Sequence, residues 1–172
     1  MANDLKLENV LIARQDGHTL KILDFGLAKV KLLDFADRNT LTVPGVVIGT
    51  FGYMSPEQLS GEEVDERSDI FSLGVMVFEA VTGERPFRGK THTELFRSTP
   101  QEPFHLPGDS EEVTRLRAVL QTCLSKDRER RFATVAALQQ ELIPTLRACP
   151  RFPMRDGRMA DETLTKTVRM TT

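Results

Sequence analysis

Over residues 69–82 the sequence is apolar on nearly every side. Ile70, Phe71, Leu73, Val75, Met76, Val77, Phe78, Ala80 and Val81 are broken only by Ser72, Gly74 and Glu79. A helix with no polar face belongs in the middle of a core, with other elements wrapped around it. The stretch is too short to span a bilayer, which takes about 20 apolar residues. Gly83 follows as a C-terminal cap suited to a left-handed backbone. A chain of 172 residues, 40% of them hydrophobic, can build one such core and hardly two, and it is too apolar to be disordered throughout.

The covering elements lie downstream. Ser110 is placed as an N-cap, with Glu111 and Glu112 at the positive end of the helix dipole. Val113, Leu116, Leu120, Cys123 and Leu124 give the helix after it one apolar stripe. A charged turn at 126–131 leads to a second amphipathic helix over about 134–147. Residues 86–107 read as loop with one short helix near 92–98, and 148–172 as a loose tail without pattern. One folded unit over 1–147 is therefore expected.

Upstream, two short β-type runs, Val10-Leu11-Ile12-Ala13 and Thr19-Leu20-Lys21-Ile22-Leu23, flank Asp16-Gly17, a pair suited to a tight hairpin turn. A hairpin brings its two ends together. Asp4-Leu5-Lys6-Leu7-Glu8-Asn9 precedes the first run and Asp24-Phe25-Gly26 ends the second, so Asp4, Lys6, Asn9 and Asp24 converge at one edge. Two carboxylates, an amide and an ammonium group suit magnesium and phosphate, because hard Mg²⁺ takes oxygen ligands and shares its shell with substrate phosphates. Residues 29–56 hold no periodicity, and so long a loop in a compact domain is usually functional.

Charge and cysteine usage narrow the class. Lys plus Arg number 23 against 25 Asp plus Glu, a formal charge of −2 without the basic excess of a nucleic-acid binder. Cys123 and Cys149 have neither metal-ligand nor redox spacing and read as one core and one surface thiol. His18, His92 and His105 show no ligand spacing. The charged first twenty-five residues contain no apolar signal segment, which points to a soluble cytoplasmic protein.

Five landmarks now fall in order: Asp-x-Lys-x-x-Asn at Asp4 to Asn9, Asp-Phe-Gly at Asp24 to Gly26, Ser-Pro-Glu at Ser55 to Glu57, Asp69 at the buried helix, and Arg131 at the end of the charged turn. Together they resemble the C-terminal lobe of a protein kinase. The fold implied is mainly α with a small β-hairpin, an α+β kinase-like C-lobe. Lys6 stands two residues after Asp4, as in serine/threonine kinases. The wording Gly49-Thr50-Phe51-Gly52-Tyr53-Met54-Ser55-Pro56-Glu57, with Asp69-Ile70-Phe71-Ser72-Leu73-Gly74 after it, is similar to bacterial kinases of the eukaryotic type.

The resemblance implies roles. Asp4 accepts or orients the proton of the substrate hydroxyl, and Lys6 offsets charge beside the γ-phosphate of ATP. Asn9 and Asp24 hold Mg²⁺. Thr50 lies in the loop that receives a protein substrate and bonds to Asp4 and Lys6. Thr40 and Thr42 lie where family members are phosphorylated. Asp69, which accepts backbone N–H groups of the catalytic loop, and the pair Glu57–Arg131 are structural. Two departures matter. Ala2-Asn3 stand where the family has His-Arg, and these residues include no glycine-rich loop, no strand lysine with its helix glutamate, and no adenine-binding hinge. The expectation is a serine/threonine kinase lobe that phosphorylates proteins once an N-lobe completes it and is inactive alone. The alternative is a catalytically silent remnant that binds protein partners.

Overall fold

The computed structural model describes residues 5–13, 19–22, 52–87, 89, 92–98 and 106–149. A 3-10 turn (Leu7–Asn9) leads into strand β1 (Val10–Ala13), which pairs antiparallel with β2 (Thr19–Ile22). Helices α1 (Pro56–Ser60), α2 (Glu66–Thr82), α3 (His92–Ser98), α4 (Glu111–Cys123) and α5 (Val135–Ala148) follow, with a second 3-10 turn at Arg128–Arg130. The described residues are thus mainly helical with one hairpin. The Asp16-Gly17 turn lies outside them.

The long apolar helix is central. Ile70, Phe71 and Val75 have no exposed surface, and α4 and α5 pack on α2 and on each other. Phe71 stacks on Phe87, ring centroids 5.4 Å apart, which draws the chain after α2 back over the core. At the crossing of α2 and α4, a Cβ on Gly74 would stand 2.7 Å from Cys123 Cβ. The two helices come this close because residue 74 has no side chain.

Helix ends follow local chemistry. Asp65 caps α2, its carboxylate accepting from the Arg67 N–H at 2.9 Å. The helix therefore starts at Glu66 rather than at Asp69, because the polar residues before Ile70 carry no apolar signal although Ser68 among them is buried. Gly83 ends α2 with φ 72°. Ser110 caps α4, accepting from the Val113 N–H, and Thr134 caps α5 in the same way through Ala137. Helix α5 runs to Ala148, so a boundary at 147 falls inside its last turn. The remaining tail, 150–172, lies outside the described residues.

Candidate functional site

Two expected site residues, Lys6 and Asn9, bracket the first 3-10 turn. The Asn9 N–H donates to the Lys6 carbonyl at 3.0 Å, so both side chains ride on one short piece of backbone at the mouth of the hairpin. Leu5, Leu7 and Val10 pack against the core and seat the turn on the helical body. The register Val10↔Ile22 returns the chain that leads to Asp24 alongside Val10, next to Asn9. An amide oxygen and an ammonium group on one turn are a donor set that fits magnesium-bound phosphate: a hard oxygen ligand for the ion and a point charge for the phosphate. Asp4, Asp24, Thr40, Thr42 and Thr50 lie outside the described residues.

Behind this turn stands a polar cluster that the sequence did not reveal. The Tyr53 hydroxyl donates to Glu79 Oε2 at 2.6 Å and also lies 3.2 Å from Glu8 Oε2. Arg85 donates from Nη2 to Glu8 Oε1 at 3.2 Å and from Nε to Glu79 Oε1 at 3.3 Å, with its Cζ 4.6 Å from the Tyr53 ring centroid. The Ser72 hydroxyl donates to the Tyr53 carbonyl at 2.9 Å and pins that residue to α2. Burial, then the hydrogen bond to Glu79 and the charge of Glu79, push the Tyr53 phenol far above the usual range, so it stays a donor at any physiological pH. Glu79 was the one acidic break in the apolar run, and Tyr53 is the chain's single tyrosine. Those were the signals available.

A second cluster joins Glu57 to Arg131. Ser55 caps α1 with a capping box: the Ser55 N–H donates to Gln58 Oε1 at 2.9 Å while its hydroxyl accepts from the Gln58 N–H. With Pro56 at the first helical position, this local Ser-Pro-Glu-Gln chemistry fixes the direction of Glu57. Its carboxylate meets the Arg131 guanidinium in a two-point contact, Nη1 to Oε1 at 2.6 Å and Nη2 to Oε2 at 2.8 Å, and also accepts from the Ser68 hydroxyl. Arg131 donates further to the carbonyls of Ser125, Arg67 and Lys126, and it lies 5.0 Å from the Phe71 ring centroid. Burial raises the Glu57 carboxyl, but hydrogen bonds from Arg131 and Ser68 outweigh it and hold the group at about 2.

Asp69 sits half-buried in the first turn of α2, at the positive end of that helix. The charged turn beyond α4 is more than a solvated face. Arg128 donates to the Glu63 carbonyl at 2.8 Å and Glu129 pairs with Arg67, so the turn closes against the N-terminus of α2. Cys123 is buried, which pushes its thiol up to about 12, and Cys149 is half-exposed.

Comparisons with known proteins show the family and the fold. The family described as protein kinase domain matches residues 1–143. Serine/threonine-protein kinase PknB of Mycolicibacterium smegmatis is 37% identical over 142 residues, 81% of this chain and 22% of that protein. The PknB of Mycobacterium leprae is 35% identical over the same shares. Serine/threonine-protein kinase pkn3 of Myxococcus xanthus is 34% identical over 146 residues, 81% of this chain and 26% of its own length. The chain thus spans about a quarter or less of these relatives. Among solved structures, the Cydia pomonella granulovirus kinase PK-1 superposes with a TM-score of 0.61 at 21% identity, covering 85% of this chain and 50% of that one. That likeness is one of fold.

Proposed function

The chain belongs to the protein kinase family, and on that premise we propose that it is the C-terminal lobe of a serine/threonine kinase, which transfers the γ-phosphoryl group of ATP to serine or threonine hydroxyls of proteins when an N-lobe completes the nucleotide site. The observation that carries the reading is the Lys6–Asn9 turn at the mouth of the hairpin, with the register Val10↔Ile22 leading the chain back toward Asp24. ATP with Mg²⁺ supplies the phosphoryl group and neutralises much of its charge. Asn9 and Asp24 hold the ion, and Lys6 offsets charge at the phosphoryl oxygens. Asp4 accepts the proton of the attacking hydroxyl, and Thr50 orients Asp4 and Lys6 from the substrate side. Asp69 supports the catalytic loop through its backbone, while Glu57 and Arg131 anchor the end of the substrate-receiving segment.

Phosphorylation at Thr40 or Thr42 couples weakly to loop order in this reading, because Asn3 replaces the arginine that receives such a phosphate elsewhere in the family. The compartment we assign is the cytoplasm, where ATP is supplied and the thiols of Cys123 and Cys149 stay reduced. Among the described residues no helix is long and apolar enough to cross a membrane.

The test joins the N-lobe of a related kinase before Met1 and follows radiolabel transfer from ATP to a casein-like protein and to the chain itself. The fusion transfers phosphate, its Asp4→Asn form does not, and residues 1–172 alone are silent. Ordered placement of the reactants contributes about 7–11 kcal/mol of barrier reduction, and the sequence includes no glycine-rich loop or strand lysine to clamp the nucleotide phosphates. An inactive fusion favours the second reading, a silent protein-binding remnant, to which Ala2-Asn3 in place of His-Arg points. Equal activity of the Asp4→Asn fusion overturns Asp4 as the base.

A further inference from the structure

The turn that bears Lys6 and Asn9 is short. It is a single 3-10 turn with no buried residue and no side-chain cap at Lys6, and one such turn is weak by itself. Leu5, Leu7 and Val10 set its depth against the core. Apolar contact is non-directional, so it does not set the turn's rotation. Glu8, between Lys6 and Asn9, supplies a directional contact. Its two oxygens meet Arg85 Nη2 and the Tyr53 hydroxyl, each at 3.2 Å.

The other ends of these contacts are firm. Tyr53 is tied to α2 by Ser72 and by Glu79, and Arg85 reaches Glu79 as well. Gly52 leaves room for the guanidinium: a Cβ there would stand 3.0 Å from Arg85 Nη1 and 3.2 Å from its Cδ. One planar fork can face two carboxylates at once, which an ammonium point charge does less well. Without the guanidinium, Glu8 and Glu79 would turn two negative charges on the same phenol.

We infer that Arg85 is a positioning residue. Through Glu8 it orients the turn that presents Lys6 and Asn9, with Tyr53 and Glu79 as the fixed side of the clamp. The inference rests on the proposed kinase function only for what the turn acts upon.

Hydrogen exchange on the 172-residue chain tests it at the Asn9 amide, bonded to the Lys6 carbonyl, and the Val10 amide, bonded to the Leu7 carbonyl. Arg85→Met and Glu8→Gln should each speed exchange at both amides about tenfold or more, while the core amides of Ile70 and Leu120 keep their rates. Arg85→Lys should restore part of the protection. Arg115→Met, which breaks the exposed pair with Glu141 instead, should change nothing at the turn. Unchanged exchange at Asn9 and Val10 in both test variants overturns the inference. Should Arg85→Met also loosen the core, Glu8→Gln decides, since the Glu8 side chain is 55% exposed and its loss cannot open the core.

In the N-lobe fusion, Arg85→Met should lower kcat about tenfold while KM for ATP stays within about twofold, the split of a misaligned but still binding site. Unchanged kcat overturns the inference. A wild-type fusion without activity overturns the functional reading instead and leaves the exchange rates to decide on Arg85.

Discussion

Arg131 and Glu57, 74 residues apart in sequence, meet in a two-point contact at 2.6 and 2.8 Å with side-chain exposures of 0% and 4%. The guanidinium also donates to three backbone carbonyls, so a charge removed from water is satisfied almost entirely by the protein. A pair this dry adds little over an apolar pair of the same shape, yet it is costly to break from one side.

Arg131→Ala should therefore destabilise the chain by about 3–5 kcal/mol, because the Glu57 carboxylate is left buried and unpaired. Arg130, one residue away and 81% exposed, pairs only loosely with Asp127 at 3.7 Å. Arg130→Ala is the control and should cost well under 1 kcal/mol. Urea melts of the two variants beside wild type check this. Equal midpoints for both would exclude the pair as an anchor.

The same pair sets an acid limit. The Glu57 carboxyl is held at about 2 against an ordinary 4.5. A carboxyl depressed by folding contributes stability that is fully present above its unfolded value and is lost as pH falls toward its folded one. The stability gap between wild type and Glu57→Gln should thus be constant above about pH 5 and shrink steadily between there and about pH 2. Melting curves at intervals over that range measure it. A gap that does not narrow on acidification contradicts the assignment.

How far these contacts could be read in advance depended on their span. The capping residue Ser110, the centrality of residues 70–81 and the hairpin runs are local, so composition and period were enough. Even there the start of α2 was displaced, because Asp65 and Ser68 are polar and their roles, a cap and a buried donor to Glu57, depend on partners elsewhere. Glu57 and Arg131 were brought together by family resemblance and by no spacing rule. The Tyr53 cluster had neither help. Its contacts join residues 26, 45 and 77 positions apart. Glu79 read as a mere interruption of an apolar helix, whereas its carboxylate joins that helix to Tyr53 and Arg85.

Gly74 offers a test of the core. A Cβ added there would sit 2.7 Å from Cys123 Cβ and 3.2 Å from Leu124 Cδ2, closer than side-chain carbons tolerate. Alanine ordinarily favours a helix over glycine by about 1 kcal/mol. Here α2 and α4 must part to admit it, and overpacking of this kind costs about 1–3 kcal/mol. Gly74→Ala should lower stability, whereas the double variant Gly74→Ala with Cys123→Gly should recover part of the loss. A stabilised Gly74→Ala would show that the two helices are not held at this distance.

Lys6 and Asn9 share one turn but carry different chemistry, and kinetics should separate them. In the N-lobe fusion, and with Lys6 in its proposed role, Lys6→Met removes a charge beside the transferring phosphoryl group, where it counts most in the transition state. Loss of one such preorganised group typically lowers kcat about 10²–10³-fold, and KM for ATP should move little because the ground state loses little. On the proposed function, Asn9→Ala instead removes an oxygen from the magnesium shell. Mg²⁺ demands near-ideal octahedral geometry and gives up water reluctantly, so water takes the vacated position and the ion is held by one protein contact fewer. That variant should need more Mg²⁺ for half-maximal rate and recover part of its kcat when Mg²⁺ is raised, which Lys6→Met should not. Steady-state rates over a Mg²⁺ series at saturating ATP distinguish the two. The same Mg²⁺ dependence in both variants would mean that the turn acts only as a structural support, and the separate roles of its two side chains would have to be abandoned.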